Sequence, residues 1–135
     1  MKELTLKATL ESLPQVTSFI EEQLEALDCP MKAMMQINVA IDEMFGNIVR
    51  YAYAPGTGDA TVRFDFDEQS RTASITFMDQ GVPFNPLENA VPDITLSAEK
   101  REIGGLGIFL VRKTMDAVEY QRADGFNILT IKKVI

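Results

Sequence analysis

With 135 residues, 46% of them hydrophobic, the chain can bury the core of one globular domain. Its net charge of −7 and the lack of any basic run argue against sequence-independent nucleic-acid binding, which needs Lys and Arg to neutralise phosphates. It has no histidine and one cysteine, Cys29, which excludes His-based catalysis, a phosphoacceptor histidine, an internal disulfide and a Cys/His zinc site.

The first residues, MKELTLKATLESL, carry scattered charges and do not read as a signal peptide. No apolar run approaches membrane-spanning length, so a cytoplasmic protein away from membranes is expected. Residues 3–10 alternate, with Leu4, Leu6, Ala8 and Leu10 on one face, and predict a first strand. Ser12 is placed to cap a helix that accepts Pro14 in its first turn and carries Val16, Phe19, Ile20, Leu24 and Leu27. That helix stops near Asp28-Cys29-Pro30.

A second helix centres on residues 37–53, INVAIDEMFGNIVRYAY. Ile37, Ala40, Ile41, Met44, Ile48 and Tyr51 make its apolar stripe. Glu43 and Asn47, four apart, stack one turn above the other beside that stripe, with Arg50 three positions on. A carboxylate and an amide at the edge of a buried face suit metal and proton chemistry, and equally a solvated helix flank. Gly46, next to Asn47, is a poor helix residue, costing about 1 kcal/mol relative to Ala. Close packing against a bound molecule or another chain would account for it, and so would a tolerated defect.

The turn cluster Pro55-Gly56-Thr57-Gly58-Asp59 leads to two strands, 61–67 and 72–79, joined by a hairpin loop. Asp79-Gln80-Gly81 ends the second. A carboxylate there can accept from an exocyclic amine, and Gly81 leaves room for a flat ring, or the motif simply turns the chain. Residues 80–103 lack periodicity and read as a long loop. Gly104-Gly105-Leu106-Gly107 then opens a helix running to about Asp116. Its free N–H groups suit a phosphate, although the lysine of a P-loop is missing. Strands over 118–122 and 127–134, joined at Ala123-Asp124-Gly125, complete the chain. Helices on one face of a largely antiparallel sheet give the fold class α+β, a two-layer α/β sandwich.

Taken in order, Glu43…Asn47, Asp79-Gln80-Gly81 and Gly104-Gly105-Leu106-Gly107 resemble the N box and two glycine boxes of the GHKL (Bergerat-fold) ATP-binding family. Within it the chain is similar to the stand-alone anti-sigma regulatory serine/threonine kinases. The tails Met115-Asp116-Ala117-Val118-Glu119-Tyr120 and Gly125-Phe126-Asn127-Ile128-Leu129-Thr130 share that likeness.

The resemblance implies one domain over residues 1–135, a mostly antiparallel mixed sheet covered on one face by helices, and a nucleotide lid at about 82–103. It implies ATP and Mg²⁺ as cofactors, with Asn47 on the metal and Glu43 as general base. Asp79 would take the adenine amino group, with Gly81 allowing its close approach. Gly104, Gly105, Leu106 and Gly107 would form the phosphate loop, and Thr130 would complete the adenine pocket. Lys100 and Arg101 fall in the lid. Where many relatives carry a histidine after the N box, Arg50-Tyr51 stands here, and Arg50 is a candidate phosphate or lid contact.

The implied activity is transfer of the γ-phosphate to a serine or threonine of an anti-anti-sigma-like protein, with sequestration of a sigma factor or comparable regulator. A homodimer through the first strand and first helix goes with it. The alternative is a partner-switching module whose ATP is never turned over. A histidine-kinase fragment would need its acceptor on another chain.

Overall fold

The computed structural model describes residues 1–88 and 105–135. Among them five strands form one sheet: β1 (Lys2–Lys7), β2 (Asp59–Asp67), β3 (Thr72–Asp79), β4 (Ala117–Ala123) and β5 (Phe126–Val134), in the order β1-β2-β3-β5-β4. Helices α1 (Leu13–Ala26), α2 (Met31–Asn47) and α3 (Gly105–Thr114) supply the second layer. The α+β two-layer fold is the expected one. The sheet is not mixed, however, because every neighbouring pair is antiparallel.

Strand alternation sets the two faces. Val62 and Phe64 of β2, Ile75 and Phe77 of β3, and Leu129 and Ile131 of β5 point inward. They pack with Val16, Ile20 and Leu24 of α1 and Ile37, Ile41, Met44 and Phe45 of α2 in one continuous core. Each such side chain contributes about 1.5–3 kcal/mol by leaving water. Asn38 Nδ2 donates to Glu21 Oε1 at 2.9 Å, tying α2 to α1. The opposite face of the sheet is polar, and there the hydroxyls of Thr5 and Thr61, and of Thr76 and Thr130, meet at 2.9 and 3.1 Å.

Several boundaries differ from expectation for local reasons. β1 stops at Lys7, because Thr9 N–H bonds the Lys7 carbonyl and residues 10–12 form a 3-10 turn. Leu10 is thereby left 64% exposed. Ser12 holds the cap position of α1 in a helical conformation and makes no cap bond, its hydroxyl pairing with that of Thr9 instead.

α2 ends differently too. After Asn47 the chain widens into a π turn over Ile48–Ala52. The extra residue in that turn shifts the stripe, so Tyr51 is 40% exposed instead of facing the core. The β4–β5 hairpin has the two-residue loop Asp124-Gly125, both at positive φ (53° and 82°), as a turn matched to strand twist requires. Among the described residues no helix is long and apolar enough to cross a membrane.

Candidate functional site

The register of the central strands sets one end of the site. Asp79, the last residue of β3, lies opposite Asn127 on β5. Both are buried, at 4% and 5% exposure. Asp79 Oδ1 accepts from Gly81 N–H at 2.9 Å and from Asn127 Nδ2 at 2.9 Å. Asn127 Nδ2 also donates to the Val82 carbonyl, and its Oδ1 accepts from Phe84 N–H and the Tyr120 hydroxyl. Asn127 is thus fully bonded and fixes the Asp79 carboxylate. Among the described residues Asp79 Oδ2 has no hydrogen-bond partner.

The C-terminal end of α2 closes over this pair. Asn47, Met44 and Ile48 line one cavity with Asp79, Asn127, Phe77 and Phe84. In this structure it is a small recess of about 30 Å³ that opens to solvent at its mouth. Its walls are apolar except for two amides, one carboxylate and the Tyr120 phenol, a lining that can orient a flat heterocycle.

Glu43 does not line that cavity. It lies one turn before Asn47, and its carboxylate packs on Gly107 in the first turn of α3. A Cβ on Gly107 would fall 2.2 Å from Glu43 Oε2. Glu43 Oε1 is buried with no hydrogen-bond partner among the described residues. Burial pushes the Glu43 pKa above the ordinary carboxylate range, while the Arg50 guanidinium and the Asn47 amide pull it back. Arg50 Nη2 donates to Asn47 Oδ1 at 2.9 Å, and its guanidinium lies 5.7 Å from the Tyr51 ring centroid. Gly46 lies beneath this fold-back, where a Cβ would stand 3.1 Å from Arg50 Nη1, the movable end of a flexible side chain.

The family model described as the histidine kinase-like ATPase domain matches residues 6–133. The chain belongs to this family. It is 33% identical over 95 residues to the serine/threonine-protein kinase BtrW of Bordetella bronchiseptica, covering 70% of this chain and 66% of that protein. To the serine-protein kinase RsbW of Bacillus mycoides it is 31% identical over 105 residues, 75% of this chain and 64% of that one. The chain thus spans slightly under two thirds of the length of these relatives. The histidine kinase domain of the Erythrobacter litoralis EL346 blue-light activated histidine kinase superposes with a TM-score of 0.55. It covers 90% of this chain and 60% of that one at 12% identity, a likeness of fold.

Within this ATPase domain the expected residues divide. Asn47 and Asp79 share the cavity, and Glu43 and Gly107 meet beside it. Arg50 contacts Asn47. Gly105 starts α3 and Leu106 follows it in the first turn, where N–H groups lack intrahelical acceptors. Gly104, Lys100 and Arg101, and all of the expected lid from 89 onward, lie outside the described residues. Gly81 has a different role from the one expected. The space its Cβ would take is filled by the Ala52 carbonyl, 2.2 Å away, and Val82 N–H bonds that same carbonyl at 2.9 Å. The glycine lets β3's end dock on α2's end, and no ring is needed to explain it. Thr130 is not brought to the cavity: strand parity turns it to the outer face, against Thr76.

Asn127 was not anticipated. Its signal is an amide at an inward position of an otherwise apolar alternation, Asn127, Leu129, Ile131.

Two glycine substitutions separate architecture from chemistry. Gly81→Ala drives a methyl into backbone and should cost about 3 kcal/mol in urea unfolding. Gly107→Ala meets only the movable end of Glu43. We expect stability within about 1 kcal/mol of the parent, with any activity that uses the Glu43 carboxylate down about 100-fold.

Proposed function

We propose that this chain binds MgATP in the Asn47–Asp79–Asn127 cavity and transfers the γ-phosphoryl group to a serine or threonine of an anti-anti-sigma-like protein. The observation that carries this reading is the meeting of a buried carboxylate–amide pair on one strand end with the Glu43–Asn47 turn, beside a glycine-opened helix. Names of relatives support the reaction class.

Asp79 Oδ2, without a hydrogen-bond partner among the described residues, is the acceptor for an adenine amino group, and Asn127 holds that carboxylate in place. First-turn N–H groups of α3 suit the phosphates. The donor set fits Mg²⁺, which takes one or two protein oxygens beside phosphate and water. Asn47 Oδ1 is a hard oxygen that already attracts a guanidinium, and the Glu43 carboxylate is one turn away. When bound, the metal neutralises charge on the phosphates. Glu43 accepts the proton of the acceptor hydroxyl as its oxygen bonds to the γ-phosphorus and the bond to the ADP oxygen breaks. Arg50, which donates to Asn47 Oδ1 here, would be free to reach a phosphate oxygen if that amide oxygen held the metal.

Further parts of the reading are a single unit over residues 1–135 with a lid, sequestration of a sigma factor, a cytoplasmic location and a homodimer through β1 and α1. A second reading, ATP binding without turnover, is favoured by one fact: the Glu43 carboxylate rests on Gly107 and does not line the cavity. Labelled ATP with a purified anti-anti-sigma-type protein from the same genome separates the two. Label on serine or threonine of that protein is expected. Saturable ATP binding with no label on the partner would leave the module reading standing.

A further inference from the structure

One face of α2 is left without a role by the cavity. Met31, Met35 and Val39 are 70%, 62% and 48% exposed, although Ile37 and Ile41 of the same helix are completely buried. A spacing of four places the three in one row, and the next two members of that row are Glu43 and Asn47. Because a turn takes 3.6 residues, such a row drifts by about 40° per step. It starts in solvent at Met31 and rotates inward until Asn47 is 6% exposed. Four residues rise about 6 Å, so Val39, Met35 and Met31 stand about 6, 12 and 18 Å along the axis from Glu43. Leu110, one turn beyond Gly107 on α3, adds an apolar side chain 42% exposed.

The direction of the row identifies its occupant. Every α2 residue lining the nucleotide cavity is C-terminal to Glu43, whereas the apolar row leaves Glu43 toward the N-terminus. In-line transfer brings the acceptor oxygen in from the side of the γ-phosphorus opposite the departing ADP. With the base in the cavity and the phosphates at the first turn of α3, as proposed above, a molecule seated on the row meets Glu43 from the side away from the cavity. A contiguous row of exposed apolar side chains is the kind of surface that contacts a partner, and unbranched methionine moulds itself to one.

We propose that Met31, Met35 and Val39 form the docking track for the phosphoryl acceptor, a folded protein with apolar side chains flanking its reactive hydroxyl. This rests on the kinase reading above, and the experiment keeps the two separable. The probe is a purified anti-anti-sigma-type protein from the same genome, with transfer measured from labelled ATP. Its affinity is measured by calorimetry in the presence of a non-hydrolysable ATP analogue.

Met35→Glu should raise KM for the acceptor, and weaken its binding, at least about tenfold. Affinity for the ATP analogue should stay within about twofold and Met35→Leu should behave as the parent. Unchanged KM in both Met35→Glu and the Met31→Glu, Met35→Glu double variant overturns the docking track and leaves the kinase reading intact. A raised KM that accompanies conversion of a dimer to a monomer in light scattering also overturns it, assigning the row to a second copy of the chain. Binding lost in Met35→Glu without transfer by the parent keeps the track and overturns the kinase. A parent chain that neither binds nor phosphorylates the probe overturns both.

Discussion

Replacing Glu43 with Gln is expected to lower kcat for phosphoryl transfer at least about 100-fold and, at neutral pH, to raise thermal stability. Both effects come from one carboxylate. Its Oε1 is buried without a partner among the described residues, and burial lifts its pKa against the opposing pull of Arg50 and Asn47. A carboxyl whose folded pKa exceeds its unfolded value contributes stability only while protonated. That contribution is complete below the unfolded value and is lost as pH rises through the folded one. In its ionised form Glu43 therefore carries a charge that Arg50 and Asn47 offset only in part, and Gln removes it while keeping the shape.

The stability gap between Glu43→Gln and the parent should narrow as pH falls toward about 4.3, the unfolded glutamate value. For the same reason the acid limb of the pH–rate profile should lie above the ordinary carboxylate range. Thermal unfolding at pH 4.5 and 7.5, with single-turnover transfer, measures both. A constant gap would mean that the Glu43 charge is solvated in solution, and undiminished transfer would remove it from the base role.

The parts of this fold that were legible are those with a local cause. β3 ends where the Thr72–Asp79 alternation ends, and the β4–β5 hairpin follows from Asp124-Gly125, one of the few pairs that accept two positive φ values. The i, i+4 relation of Glu43 and Asn47 is fixed by helix geometry alone.

What could not be read depends on non-local or irregular structure. A π turn leaves no trace in a 3.6-residue periodicity, so the periodicity places Tyr51 in the stripe and gives no sign that Arg50 pairs with Asn47. Asn127 matters only through a strand register joining residues 48 apart, and Gly81 only through the Ala52 carbonyl across the site. Thr130 is the opposite case. The inward parity of Leu129 and Ile131 by itself assigns it to the outer face, where its hydroxyl meets that of Thr76.

Asp79→Asn is the sharpest probe of the base end of the cavity, and we expect it to weaken ATP binding about 10- to 100-fold with little loss of stability. The asymmetry arises because both protein hydrogen bonds to Asp79, from Gly81 N–H and Asn127 Nδ2, fall on Oδ1. An asparagine placed with its carbonyl oxygen there keeps both bonds, so the β3–β5 end and the docking of Gly81 on Ala52 survive. The amide nitrogen then replaces Oδ2 and presents a donor to the adenine amino group, itself a donor. One favourable charge-assisted bond becomes a mismatch in an apolar cavity. Asp79→Ala is the control with the opposite balance. It strands Gly81 N–H and leaves Asn127 Nδ2 with the Val82 carbonyl alone, a loss of about 1–3 kcal/mol at the stranded N–H, so it should unfold at lower urea. Titration calorimetry with ATP and urea unfolding of both variants separate the contributions. ATP affinity unchanged in Asp79→Asn would move the adenine away from residue 79, and with it the polarity of the nucleotide along α2.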